Sequence, residues 1–268
     1  MAARELLPLM SPVGSYEGWE AIERETLGFL LSATARASES ALLLCAYGQL
    51  WDAEVLARSA LEGTLKFAYL LQSPDTFTQR HTEYAINLFH IALMKDHLKC
   101  AELLAAVSDP DSLQWRPIKD RLLDDDELVE LRATYDRVHR RELENRWGFT
   151  GLVSELSRSG DRLFRGLGAV AHTYSIASHV HHMDMVGASL PLDRDRRSAE
   201  RREAIHQTHE ARVISDLLNF MLLRLSVGYR FLGISLATLL PAKAKIDALH
   251  AKFEPAWSSW LNIEYGDD

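Results

Sequence analysis

The sequence predicts an all-α protein, built as a single multi-helix bundle with long central helices. Three observations lead to this fold class. Apolar residues recur about every 3.6 positions along most of the chain. Alternating apolar and polar patterns, which are typical of strands, are hard to find over four or more residues. The prolines fall at the ends of the apolar runs, so we expect them in the loops between helices.

The periodic segments also give the approximate helix positions. Helices are expected near residues 17–36, 38–47, 51–72, 75–106, 125–144, 150–158, 161–187, 196–231 and 242–253. Gly48 lies between the second and third of these, as a helix cap or only as a bend in one long helix. The helices at 51–72, 161–187 and 196–231 have wide apolar arcs, so we expect them at the centre of the bundle.

We predict one helical domain over residues 1–268. Its longest interruption is the segment 108–126, which is too apolar for a flexible linker and is expected to be an insertion or a lid. The acidic run at the end of this segment precedes a periodic stretch, and negative charge stabilises a helix N-terminus. We therefore expect Asp124, Asp125 and Asp126 to cap a helix rather than to bind a metal ion.

The C-terminal segment 255–268 is predicted to be a docking tail. Trp257, Trp260 and Leu261 are spaced so that they share one face of a helix, but the segment is too short to be a stable helix alone. The tryptophans are therefore expected to pack on the bundle of the same subunit or on a second subunit.

The first candidate site lies on the apolar helix 51–72. Glu54, Arg58 and Glu62 are spaced four residues apart and follow one flank of a broad apolar arc. Arg58 is therefore expected to be half-buried, and a half-buried guanidinium needs acceptors. Two interpretations remain open: Glu54 and Glu62 pair with Arg58 within the helix, or Arg58 faces a pocket that it shares with another helix.

The second candidate site is the histidine-rich stretch AHTYSIASHVHHMDM within the predicted helix 161–187. Tyr174, Ser178 and His181 form one ridge beside the apolar face of that helix, where hydroxyl and imidazole groups need partners. They are either ordinary boundary residues or part of a site. The spacing of His179 and His182 also suits zinc, which would support a metal-dependent hydrolase, although Asp184 is the only acidic residue nearby.

The segments LARSALEGTLKFAYL and YSIASHVHH together resemble a family of bacterial helical proteins of unknown function. The family combines an R-S-x-x-E helix with a Tyr-Ser-His helix about a hundred residues later. In this chain the matching positions are Arg58, Ser59 and Glu62, followed by Tyr174, Ser178 and either His181 or His182. The resemblance implies a helical fold and a pairing of the two helices, and it implies no reaction.

If the two helices pair, Arg58, Glu62, Tyr174, Ser178 and His181 or His182 form one polar cluster. Such a cluster could bind a small anionic ligand such as phosphate, with Arg58 as the donor. It could equally be a buried structural network that fixes the register of the helices. In both cases we predict a non-enzymatic protein that needs no cofactor and that self-associates.

An alternative site lies in the charged stretch at 193–210. The spacing of Arg201 and His206 resembles the catalytic motif of the HEPN ribonucleases, which implies RNA cleavage in a toxin or phage-defence setting. Arg202 stands where that motif usually has a polar residue. Glu203 and His206 also form one E-x-x-H unit, but a di-iron bundle needs two such units, and the chain has no second one.

The composition places the chain among cytoplasmic soluble proteins. Its net charge of −8 argues mildly against a partner that is nucleic acid or an anionic membrane, so RNA is expected only under the ribonuclease alternative. Cys45 and Cys100 lie within apolar helices and are predicted to be buried thiols in a reducing compartment. The N-terminus lacks a signal-peptide pattern. The apolar segment 217–240 contains Arg224 and Arg230, which argues against a membrane span.

Overall fold

A computed structural model describes residues 5–266, apart from the side chain of Thr173. The predicted all-α class is confirmed, and no strand occurs within this part of the chain. The long helices are α1 (Ala21–Ala46), α2 (Leu50–Leu70), α3 (Pro74–Thr82 and Leu88–Ala106, joined by a turn of π-helix at Glu83–Asn87), α4 (Asp125–Thr134), α5 (Arg137–Trp147), α6 (Phe149–Arg158), α7 (Leu167–His182), α8 (Met185–Asp195), α9 (Ala199–Phe231) and α10 (Leu240–Tyr265).

Three predicted boundaries are wrong, each for a local reason. The helices expected at 17–36 and 38–47 are one helix, α1, and Gly48 with φ of 71° then separates α1 from α2. The helix expected at 125–144 ends at Thr134, because Asp136 caps a new helix by accepting a hydrogen bond from the backbone N–H of His139. The helix expected at 161–187 ends where Met183 adopts φ of 50°.

Two prolines do not follow the sequence prediction. Pro191 lies inside α8, and Pro255 lies inside α10 rather than at its end. A proline inside a helix costs about 3 kcal/mol, so packing has to outweigh that cost. For α10 the packing is visible along α9, where Thr208 donates to the backbone carbonyl of Ala256 (3.1 Å), and just before α9, where Arg197 pairs with Glu264 (2.8 Å).

The C-terminal tail is therefore the last part of a long docked helix rather than a separate segment. Trp257 and Trp260 are both half-buried, with their rings 6.1 Å apart, while Leu261 is exposed. The described part of this segment contacts the same chain through Ala256 and Glu264, and its last two residues lie outside the described residues.

The chain forms two compact units. The first contains the described residues up to Pro74 together with those from Leu152 onward. In it α2 packs against α1, α9 and α7, and α10 packs on α9. Helices α2 and α9 lie at the centre, as expected, but α1 packs on α2 more extensively than α7 does. The side chains of Phe67, Leu65 and Leu225 are among those fully enclosed.

The second unit contains residues 75–151. Its core is formed by α3, α4 and α5, with buried side chains at Ile91, Met94, Leu128, Tyr135 and Leu143. The acidic run caps α4 as predicted: Asp124 accepts from the backbone N–H of Glu127 (2.7 Å), and Glu127 accepts from that of Asp124 (3.2 Å). The predicted insertion contains two short helical turns, Leu113–Trp115 and Arg116–Lys119.

Two other expectations concern apolar segments and thiols. The segment 217–240 is broken after Phe231, at Gly233 with φ of 71°. By length and composition alone, α1 is the one helix among the described residues that could cross a membrane, and core helices of soluble proteins pass the same test.

Cys45 and Cys100 are free and buried, as predicted, and burial raises the pKa of Cys45 to about 11.

Candidate functional site

Arg58 on α2 contacts Tyr174 on α7, as the sequence predicts. Nη2 of Arg58 donates to the phenolic oxygen of Tyr174 (2.9 Å), and the Tyr174 hydroxyl donates to Oε1 of Glu62 (2.9 Å). Arg58 Nε also donates to Glu62 (3.2 Å). The three side chains therefore close a ring of hydrogen bonds, which we call the Arg58 triad.

The two helices hold the triad at the boundary of the core. Arg58 and Glu62 are one helical turn apart on α2, so both reach the same residue of α7. The guanidinium carbon of Arg58 lies 4.4 Å from the centre of the Tyr174 ring, which adds a cation–π contact. Burial raises the pKa of Tyr174, and the neighbouring Glu62 carboxylate raises it further. The phenol is thus held as a hydrogen-bond donor, which suits a fixed contact.

Glu54 does not pair with Arg58, although the spacing along α2 allowed it. The buried Glu54 carboxylate instead accepts from two side chains of α9, His209 (3.0 Å) and Arg212 (2.5 Å). Arg212 reaches Asp216, one turn further along α9 (3.2 Å). We call these four residues the Glu54 network.

The charges of the Glu54 network are strongly perturbed by burial. Burial opposes ionisation of Glu54, but the hydrogen bonds and charges of His209 and Arg212 outweigh it, so the pKa of Glu54 is lowered. Asp216 behaves in the opposite way: burial raises its pKa to about 6, and the negative charge of Glu54 adds to the effect. The two carboxyl groups therefore share one cation, Arg212, and Asp216 becomes protonated at a higher pH than Glu54 does.

A small void separates the Arg58 triad from the Glu54 network. It has a volume of about 10 Å³ and is lined by Glu54, Ala57, Arg58, Leu61, Tyr174, Ala177, Asp216 and Phe220. That is the space for about one water molecule. Nη1 of Arg58 is buried and has no hydrogen-bond partner in the described part of the chain. One water molecule in the void could satisfy this N–H group.

The other residues predicted for this cluster do not join it. His181 and His182 are exposed, and their rings contact each other with centroids 5.1 Å apart. Within residues 5–266, neither imidazole has a hydrogen bond or ion pair to Arg58, Glu62 or Tyr174. Ser178 is half-buried on α7, and Ser59 donates only to its own helix (3.4 Å to the carbonyl of Val55).

His179, one of the two histidines of the possible zinc site, contacts Asp184 instead of forming a metal site with His182. His179 Nδ1 lies 2.6 Å from Asp184, whose carboxylate caps α8 by accepting from the backbone N–H of Gly187 (3.0 Å). That backbone hydrogen bond and the contact with His179 lower the pKa of Asp184. No group of three or more potential metal-binding side chains is found in the part of the chain that the structure describes.

Arg201 and His206 do not converge on one another. Five residues apart on α9, they point in directions about 140° apart around the helix axis. Arg201 is exposed, its backbone N–H donates to the Ser198 hydroxyl that caps α9 (3.3 Å), and its side chain has no hydrogen bond or ion pair among residues 5–266. His206 is half-buried beside Gly48.

The sequence interpretation missed His209, Arg212 and Asp216. A signal was present, because the three lie at i, i+3 and i+7 on α9, which is the spacing of one helix face. They were read as part of a charged or apolar helix because nothing in the sequence pairs them with Glu54, more than 150 positions earlier. Only the packing of α9 on α2 shows that pairing.

Residues 25–199 match the profile of a family described as a family of unknown function, DUF5677. The matched region contains the whole Arg58 triad, and it ends before Arg201, His206 and the α9 members of the Glu54 network. Neither a curated protein nor a solved structure matches the chain significantly.

Proposed function

The chain belongs to the DUF5677 family of unknown function, and we propose that it is a non-catalytic helical protein whose buried polar cluster fixes the register of α2, α7 and α9. In this proposal the Arg58 triad joins α2 to α7, and the Glu54 network joins α2 to α9. Polar contacts of this kind select one packing arrangement among several that an apolar face alone would allow.

The proposal rests on the small space beside Arg58, which leaves no room for a substrate within this cluster. The void beside Arg58 holds about one water molecule, whereas ligand pockets usually measure about 300 to 1,000 Å³. Arg58 and Arg212 are both paired with carboxylates, so the charges are satisfied within the protein. A cluster whose charged groups are paired with one another is suited to holding helices in place.

Binding of a small anion at Arg58 is the alternative use of the same cluster. The unpartnered Nη1 atom favours an additional acceptor. The carboxyl groups of Glu54 and Asp216 line the same void, however, and they would repel an anion placed there. A neutral water molecule fits this electrostatic environment better than phosphate does.

The ribonuclease alternative, based on Arg201 and His206, receives less support. The two side chains diverge around α9, and both lie outside the region that matches the family. A cleavage assay on a mixed RNA pool tests it directly. Cleavage that is lost in both Arg201→Ala and His206→Ala would replace the non-catalytic proposal with this alternative.

A double-mutant cycle tests the register proposal. Arg58→Ala, Tyr174→Phe and the double variant would be unfolded in urea, and the free energies of unfolding compared. Arg58→Ala should cost about 2 to 4 kcal/mol, because it leaves Glu62 without its cation in a partly buried position. We expect a coupling energy of about 1 kcal/mol or more between Arg58 and Tyr174. A coupling of zero would contradict a structural role for the triad.

Arg58→Lys separates the structural role from anion binding. Lysine keeps the charge but loses the planar geometry, so it should recover only part of the stability. If the cluster is structural, any stabilisation by phosphate at fixed ionic strength will be the same in Arg58→Lys and the unmodified protein. A phosphate response that disappears in Arg58→Lys would show that the cluster binds anions.

A further inference from the structure

A basic cleft lies in the second unit, which does not contain the Arg58 triad or the Glu54 network. It has a volume of about 420 Å³ and is lined by Lys95, Arg137, Arg140, Arg141, Glu144 and Asn145. We call it the arginine cleft. Four cations and one carboxylate line it, in a chain whose net charge is −8. This local excess of positive charge is opposite in sign to that of the whole chain.

The arginines of this cleft lack carboxylate partners. Glu144 is already paired with Lys95. Arg140 donates only to a backbone oxygen, that of Asp136 (3.4 Å), and among residues 5–266 Arg137 and Arg141 make no ion pair or hydrogen bond through their side chains. By contrast, Arg58, Arg146, Arg197 and Arg212 each have a carboxylate partner. The cleft therefore presents unused guanidinium donors.

The position of these arginines is unfavourable for the isolated helix. Arg137, Arg140 and Arg141 lie in the first five residues of α5, where the helix dipole disfavours cations. Arg137 and Arg141 are also four residues apart, a spacing at which like charges repel. The Asp136 carboxylate already caps this helix end, but it forms no ion pair with the three arginines, so a bound anion would relieve the repulsion between their guanidinium groups.

Helix α5 is firmly held at its other end. Glu83, buried in the π-helical turn of α3, accepts hydrogen bonds from Arg146 (2.6 Å) and from the indole N–H of Trp147 (2.9 Å). Gln79 donates to the same carboxylate (3.1 Å). The backbone that carries the three arginines is thus anchored before any ligand arrives, which reduces the cost of binding.

We propose that the arginine cleft binds the phosphate group of a small phosphorylated molecule. A second cleft of about 360 Å³ shares Arg137 and Arg140. Arg132, Tyr135 and Asp136 also line it, together with the apolar side chains of Met94, Leu98 and Leu128. It provides an apolar surface directly beside the phosphate donors. The ligand class that fits both clefts is an organic phosphate, with the phosphate on the arginines and an apolar group against these three side chains.

The size of the clefts and the charge of the chain favour a small ligand over a polymer. The volumes match those of small-molecule sites. A nucleic acid would extend beyond the clefts and meet a protein that is acidic overall, which weakens its binding. The proposal does not depend on the role of the Arg58 triad, since all of its residues belong to the second unit.

Calorimetric titration of the full chain with phenyl phosphate and with inorganic phosphate tests the proposal. We expect both to bind, and phenyl phosphate to bind about tenfold more tightly, because the ring buries apolar area in the second cleft. The double variant Arg140→Gln, Arg141→Gln should lose at least tenfold in affinity for both ligands. Leu98→Ser should weaken only the binding of phenyl phosphate.

Arg116→Gln is the matched control, because Arg116 is an exposed arginine of the same unit that does not line either cleft. It should bind both ligands as the unmodified protein does, and so should Arg58→Lys. Equal affinity in the unmodified protein and the Arg140, Arg141 double variant would overturn the proposal. So would binding of poly(U) RNA, lost in the double variant, by a protein that binds neither small phosphate.

Discussion

The Arg58 cluster and the arginine cleft use the same type of side chain in opposite ways. In the first, Arg58 and Arg212 meet carboxylates and a tyrosine, and the remaining space admits about one water molecule. In the second, Arg137, Arg140 and Arg141 face a cleft of about 420 Å³ without acidic partners. In the first arrangement the only donor that lacks a partner among the described residues is Nη1 of Arg58, whereas the arginines of the second have no carboxylate partner there.

This difference shows why arginine content alone does not locate a binding site. A half-buried arginine whose donors are used within the protein contributes to stability, whereas an exposed arginine without a protein partner keeps its donors in contact with solvent and available to a ligand. The two regions should therefore respond differently to mutation. Changes in the closed cluster should affect stability, and changes in the open cleft should affect binding with little loss of stability.

The largest effect is expected for Glu54→Ala. The substitution removes the buried carboxylate that pairs with His209 and Arg212, and it leaves Arg212 with only Asp216. Breaking a buried pair in this way should lower the free energy of unfolding by about 3 to 5 kcal/mol. Urea unfolding measures the change. A loss below about 1 kcal/mol would mean that the closed cluster is not a stabilising network.

The pH dependence of stability gives the second prediction. The pKa of Asp216 is about 6 in the folded protein and 3.8 ordinarily, so folding favours its protonated form. Its contribution to stability is full below about pH 3.8 and is lost as the pH rises through 6. We expect the unmodified protein to lose roughly 2 kcal/mol relative to Asp216→Asn over this range. Urea unfolding at several pH values measures it.

Asp216→Asn is the control for the unmodified protein, because asparagine has a similar shape to aspartate and does not titrate. The acidic shift of Glu54 acts in the opposite direction: its contribution is present above pH 4.5 and is lost as the pH falls. That effect occurs in both proteins and largely cancels in the difference. A difference between the two proteins that stays constant with pH would contradict the raised pKa of Asp216.

The smallest effect is expected for Arg141→Gln in the absence of ligand. Its side chain has no ion pair to lose among the described residues, and its repulsion with Arg137 disappears. The free energy of unfolding should stay the same or rise by about 0.2 to 0.5 kcal/mol. Thermal unfolding without phenyl phosphate measures this change in stability, and thermal unfolding with phenyl phosphate measures the stabilisation that the ligand provides. A clear loss of stability without ligand would mean that this arginine is structural, and the contrast between the regions would fail.

Much of the fold could be predicted because helical periodicity is a local property. The pattern located α2, α6 and α9 closely, since their apolar faces are buried against neighbours. It joined 161–187 into one helix because the stop at Met183 depends on a backbone angle that the residue type does not indicate. It also ended the last helix before Pro255, because the packing on α9 that carries α10 through the proline is tertiary.

The candidate site could be predicted only in part. The contact between Arg58 and Tyr174 could be predicted because each residue lies at the edge of an apolar arc and within a segment that resembles a motif of a known family. Ser178, His181 and His182 belong to the same motif, but their positions on α7 turn the two histidines toward solvent. Whether the cluster binds a ligand stays a prediction. The arginine cleft was not predicted, because α5 reads in the sequence as a solvated charged face.

The π-helical turn at Glu83–Asn87 also constrains the number of residues in this part of α3. In a regular α-helix, one added or removed residue rotates everything beyond it by about 100°. The π-helical turn accommodates one such additional residue in α3. Within this turn, Glu83 accepts a hydrogen bond from Arg146, and Asn87 accepts one from the Tyr135 hydroxyl. Relatives that keep both contacts should therefore have the same number of residues between them. A relative with one residue fewer should have a regular helix there and only one of the two contacts.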